Sequence, residues 1–124
     1  MPDRVSTPPG WPDAVRPPGA EHWERSAVNW LLDQCPPEYR GHPVIVRHPL
    51  VLAWLAGRHA AGALEAVRQA LAQARVERAG DLPVPAMSAL REALQAEQVR
   101  LIAVRRAAGF LEEALRGHRY VPRL

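Results

Sequence analysis

Apolar residues recur every seven positions in two consecutive stretches of this chain, and a proline-rich break separates them. Leu50, Gly57, Leu64 and Leu71 form the first row, with Ala53, Ala60, Val67 and Ala74 interleaved. Met87, Leu94, Leu101, Ala108 and Leu115 form the second, with Leu90, Val104 and Leu111 interleaved. A seven-residue apolar repeat is the pattern of a helix packed along its length on another helix. Pro49 suits the first position of the first helix, where its missing N–H leaves no bond unmade. The segment Gly80-Asp81-Leu82-Pro83-Val84-Pro85 then turns the chain, with Gly80 expected as a left-handed helix stop. The prediction is an all-α fold built on a long antiparallel helical hairpin, residues 49–79 and 86–116.

Folding the two helices back about that turn brings Leu71 to Leu94, Leu64 to Leu101 and Gly57 to Ala108. The two ends of the pair then differ. Near the turn each helix carries a narrow apolar stripe. At the far end the apolar surface broadens, with Val51, Leu52, Trp54 and Leu55 on one helix and Ile102, Phe110 and Leu111 on the other. So wide a stripe needs a covering element. A shorter helix over residues 20–34 supplies it, because Trp23, Ala27, Trp30 and Leu31 recur at helical spacing. Glu21 and Glu24 suit its first turn, Glu21 is placed to pair with Arg25, and Cys35-Pro36-Pro37 ends it. The expected architecture is a three-helix bundle at one end, tapering into a two-helix coiled-coil arm.

The connecting segments are set by proline. Residues 1–19, with Pro8-Pro9-Gly10, Trp11-Pro12 and Pro17-Pro18-Gly19, read as an extended or disordered arm from which Trp11 folds back as an anchor. In the connector before the first long helix, residues 37–40 read as one helical turn closed by Gly41. Val44-Ile45-Val46 reads as an extended strap, all three residues partly buried. Gly117 closes the last helix, and residues 118–124 form a short basic tail. The resulting division is an arm over 1–19, a single helical domain over 20–117 and the tail.

Composition narrows the function. All 16 basic residues are arginine, and 13 acids leave a net charge of only +3, so nucleic acid is permitted but not demanded. Cys35 is the only cysteine, which excludes an internal disulfide and fits a reducing compartment. The start of the chain is not a signal peptide, and the longest apolar run, residues 50–56, is too short to span a bilayer. A cytoplasmic protein is expected, with no membrane association.

Four groups of residues are candidates for function. Trp11, Trp23, Trp30 and Trp54 are candidate partner anchors, since tryptophan dominates many interface hot spots; core filling is the competing role, above all for Trp30 and Trp54. Arg40, His42, Arg47 and His48 precede a helix N-terminus, which attracts anions. Arg119 is expected at the same end of the molecule. The histidines 22, 42, 48 and 59 match no zinc spacing, and no cofactor is implied. The arginines of the two long helices fall on no single stripe and are diluted by glutamates, and aromatic residues for base stacking are absent from both halves of the arm. No Ser-His-Asp or Cys-His arrangement appears in a recognisable context. The leading expectation is therefore a small non-enzymatic adaptor or regulator that forms homodimers and binds another protein. The alternatives are a nucleic-acid-associated protein using the basic loop and tail, or a small-anion or nucleotide sensor at the N-terminus of the first long helix.

Overall fold

The computed structural model describes residues 6–123; the first five residues of the expected arm and Leu124 of the tail lie outside them. Among the described residues the fold is all-helical, without strands. Helix α1 spans Trp23–Asp33, a short α2 spans Pro43–Val46, and the two long helices are α3, Pro49–Arg78, and α4, Val84–Leu115. A single 3-10 turn, Pro37–Gly41, lies between α1 and α2.

Helices α3 and α4 pack on each other. An added Cβ on Gly57 would lie 3.9 Å from the Ala108 Cβ, so two small side chains meet at that level. Toward the turn, the Arg91 guanidinium donates to the Leu71 carbonyl at 2.8 Å. The buried side chains Ala53, Ala60, Leu64 and Ala74 on α3, with Met87, Leu101, Val104, Ala108 and Leu111 on α4, all come from the seven-residue rows.

The terminations follow local chemistry. Gly117 has φ 87°, its N–H donates to the Ala114 carbonyl at 3.0 Å, and the His118 N–H reaches the Glu113 carbonyl at 3.0 Å. These are the paired bonds of a Schellman motif, which need the left-handed glycine. The end of α3 departs from expectation, because Gly80 is not left-handed. The chain leaves through Ala79 in right-handed helical geometry, the Asp81 N–H bonds the Arg78 carbonyl at 3.0 Å, and the Asp81 carboxylate meets the Arg78 guanidinium at 3.3 Å. The cap is a polar bridge closed by Asp81, not a glycine conformation.

Two proline segments also differ from expectation. Residues 43–46 are a helical turn instead of an extended strap, since Pro43 pre-sets a helical φ and the His42 carbonyl accepts from both Ile45 N–H, at 2.9 Å, and Val46 N–H, at 3.1 Å. Ile45 and Val46 pack against the core, whereas Val44 is exposed. Residues before α1 run as consecutive turns opened by prolines. The carbonyls of Pro8, Pro12 and Pro17 accept from Trp11, Val15 and Ala20 at 3.0, 3.0 and 3.1 Å. Val15 is buried in the core, and the Trp11 indole donates to its carbonyl at 2.8 Å. Where this segment crosses α4, Gly10 has φ 99° and an added Cβ would sit 3.3 Å from the Phe110 ring; both the backbone geometry and the close approach require glycine.

Helix α1 starts later than its apolar spacing suggests. His22 precedes it with φ 62°, and Glu21 lies 3.2 Å from His22 instead of pairing with Arg25. Ser26 ties the helix to the preceding segment. Its hydroxyl donates to the Trp23 carbonyl at 2.7 Å and accepts from the Arg16 N–H at 3.0 Å. Ala27, Leu31 and Leu32 of α1 are buried with Leu52, Ala53 and Ala56 of α3 and Ala108 and Leu111 of α4. Trp54 departs from its expected place in this core, being 52% exposed, and Val51 and Ile102 are each 45% exposed. The reason is rotational: Ala53, Leu52 and Ala56 present the face that α1 covers, and Trp54 lies about 100° round the helix from Ala53.

Leu31, Leu52 and Leu111 are the largest fully buried side chains. Leu111→Ala is expected to lower stability by about 2–5 kcal/mol, whereas Trp54→Ala costs no more than about 1 kcal/mol; urea denaturation of both variants checks the contrast. Gly62, inside α3, has open space where a Cβ would stand. Gly62→Ala should therefore raise the urea midpoint, by about 0.5–1 kcal/mol in stability.

Candidate interaction surfaces

The α3–α4 pair has two flanks and two ends, and they are unequally covered. Helix α1 lies on one flank at the end distant from the turn, contacting both long helices. Between the covered end and the buried Ala74 and Met87 beside the turn, the residues at the seam between the helices stay half-exposed. No side chain of residues 65–73 or 88–100 is fully buried, although Val67, Leu71, Leu90 and Leu94 belong to the seven-residue rows. Val76 and Val99 are also 85% and 69% exposed on this arm. The Glu97–Arg100 ion pair, at 2.9 and 2.5 Å, holds the Glu97 carboxyl below the ordinary carboxylate range through its hydrogen bond from Arg100. Such a pair is formed above the usual carboxylate pKa and is lost as pH falls through the depressed value.

The flank opposite α1 carries Trp54, with Arg58 one turn on and its guanidinium 5.8 Å from the centre of the indole. An open cleft further along the same pair is lined by Leu64, Arg68, Ile102, Arg105, Arg106, Gly109 and Phe110, with the carboxylates of Glu112 and Glu113. Arg106 lies over the Phe110 ring at 5.4 Å. Guanidinium groups over aromatic rings keep their charge on an apolar surface.

A second cleft, of about 540 Å³, lies between the N-terminal turns, the start of α1 and the end of α4. Trp23, Phe110, Leu115, Tyr120 and Arg119 line it. Of the four tryptophans, Trp11, Trp23 and Trp30 pack partly buried against the core, and only Trp54 is exposed.

The residues singled out for anion binding are spread over different local structures. Arg40 is held by Asp33 at 2.6 Å. The His48 ring is 2.8 Å from the Val44 carbonyl, while the His48 carbonyl accepts the Leu52 N–H at 3.0 Å. His42 and Arg47 are exposed beside α2. Arg119 lines the 540 Å³ cleft, and none of Arg40, His42, Arg47 or His48 does. His59 faces the connector, its Nε2 2.6 Å from the Tyr39 hydroxyl. Among the described residues no three His, Cys, Asp or Glu side chains come together as a metal site, and no helix is long and apolar enough to cross a membrane.

The arginine-over-aromatic pairs escaped the sequence reading. Their signal was present as Trp54 and Arg58, and as Arg106 and Phe110, each four residues apart on a helix.

Cys35 is half-buried at the end of α1, and burial pushes its thiol above the ordinary range. Because the thiolate is the reactive form, the pH–rate profile for iodoacetamide alkylation should have a higher midpoint in the native protein than in urea. An equal or lower native midpoint contradicts the burial. Comparison with protein-family models, curated proteins and solved structures finds no match to this chain.

Proposed function

We propose that the protein is a small non-enzymatic helical adaptor or regulator of the cytoplasm, which self-associates through the turn end of its helix pair and binds another protein elsewhere. In this reading α3 and α4 form a helical hairpin, α1 completes a three-helix bundle at one end, and the rest is a coiled-coil arm. The observation that carries it is the absence of any fully buried side chain in residues 65–73 and 88–100. A two-helix arm has one seam, and its apolar positions stay partly in water. Pairing two arms into four helices surrounds those positions on all sides, which is how helix bundles bury their core. At about 25 cal/mol per Å² of apolar surface removed from water, burial is the term that drives such an association. A twofold arrangement places the same arm surface on both partners. The lone, half-buried cysteine fits a reducing compartment.

Light scattering should give twice the 13.7 kDa chain mass. Val76→Glu combined with Val99→Glu should shift the protein toward the chain mass with its helical circular dichroism retained, because both side chains stand outside the chain's own core. A wild-type mass equal to the single chain at all concentrations removes the self-association.

A further inference from the structure

We propose that the flank of the α3–α4 pair opposite α1 is a docking groove for an acidic amphipathic helix of a partner protein. The proposal rests on the adaptor reading and names the chemistry of what the adaptor would hold. Three observations converge on this flank.

The first is geometric. On the other flank an 11-residue helix, α1, already lies against both long helices, with Ala27 and Leu31 fully buried between them. Helices nest in the groove between two packed helices by presenting a narrow ridge of small and branched side chains. The free flank offers the same kind of groove. Gly109 has open space where a Cβ would stand, Ala61 is only partly exposed, and Leu64 and Ile102 line the cleft. The stretch of α3 from Trp54 to Arg68, which ends in this cleft, is about 21 Å long at 1.5 Å per residue, the length of a four-turn helix.

The second is apolar exposure. Trp54 at 52% stands at one end of this flank and Ile102 at 45% lines the cleft further along. A half-exposed tryptophan offers the large apolar area typical of an interface anchor.

The third is charge. Arg58, Arg68, Arg105 and Arg106 form no ion pair with a carboxylate among the described residues. The nearby acids are engaged: Glu65 accepts from Gln69 at 3.3 Å, Glu112 pairs with Arg116 at 3.3 Å, and Glu113 meets His118 at 2.5 Å. A rim of free guanidinium groups around an apolar floor complements a helix with leucines on one face and carboxylates beside them. The arginines would orient the partner and speed its encounter, while burial at Trp54 and Ile102 supplies affinity. A second copy of the same flank would bring arginine to arginine. The guanidinium over Trp54 occupies a face on which a nucleic-acid base would stack.

The test uses the full chain and a fluorescent 14-residue peptide with leucines at helical spacing and glutamates elsewhere, followed by anisotropy. A scrambled acidic peptide, the same peptide with lysine for glutamate, and a short DNA duplex are the comparisons. The amphipathic acidic peptide should bind saturably and at least about tenfold more tightly than the scrambled one. Arg68→Glu with Arg105→Glu should weaken it by about tenfold or more and improve binding of the lysine peptide. Gly109→Leu, whose side chain would stand in the groove, should also block binding while the melting temperature holds or rises. Equal binding of acidic and scrambled peptides, no saturation by about 1 mM peptide, or preference for the DNA duplex overturns the proposal. The two readings fail separately: a dimeric mass without peptide binding removes only the groove, and a monomer that binds the peptide removes only the self-association.

Discussion

The close approach of α3 and α4 is the contact on which the rest of the molecule depends. It is made possible by small side chains, with Gly57 beside Ala108 and Ala53, Ala56, Ala60 and Ala107 buried nearby. Small residues let the helix axes come together but bury little area each, so the seam alone stabilises weakly. Larger side chains must be recruited from outside the pair. Leu31 of α1, Leu52 of α3 and Leu111 of α4 do this at one end, and Val15 of the N-terminal turns joins them. Toward the other end no third element is recruited: Ala74 and Met87 are buried beside the turn, and between them and the covered end the seam stays half-open.

That difference organises the surface. Where α1 and the N-terminal segment cover the pair, several polar groups are tied into local bonds, such as Arg40 to Asp33 and Tyr39 to His59. Where they do not, apolar side chains and unpaired arginines share the surface. Exposed apolar area that is contiguous and rimmed by charge marks interaction sites more often than singly exposed residues do. The arm and the flank opposite α1 are the two places that fit this description, and they differ in charge. The arm carries its ion pairs within itself, as Glu97 with Arg100, and suits a like partner. The flank keeps four arginines outside any ion pair, beside Glu112 and Glu113 that are bonded to Arg116 and His118, and suits an acidic one.

Much of the helix pair was legible in the sequence, because a seven-residue row reports directly on the face a helix buries. Leu64, Leu101 and Leu111 needed no structure to be placed. Helix ends set by proline and by Gly117 were legible for the same reason, being fixed by local sterics. What escaped was decided by competition between equivalent local solutions. Gly80 was free to be left-handed, yet the Asp81 carboxylate bridging to Arg78 closes the helix instead. Val44-Ile45-Val46 has strand-like composition, yet Pro43 and the His42 carbonyl close a helical turn around it. Trp54 has the composition of core and the position of surface, since only the angle at which α1 lies on the pair decides which side of α3 is covered. The site suffers most from this, because the arginine-rimmed groove is defined by what does not cover it.

In the proposed self-association, the turn end of the helix pair is incomplete as a single chain and is finished by a second copy. Hydrogen exchange read by peptide segment at low and high protein concentration tests it most directly. Amides of the covered end, in residues 50–62 and 103–115, should be protected at both concentrations. Those of residues 65–78 and 85–100 should exchange quickly when dilute and slow markedly as concentration rises, since opening of a helix scales with the packing that holds it. Equal protection of both ends, unchanged by concentration, would rule out completion by a second copy and make the arm a stable structure of the lone chain.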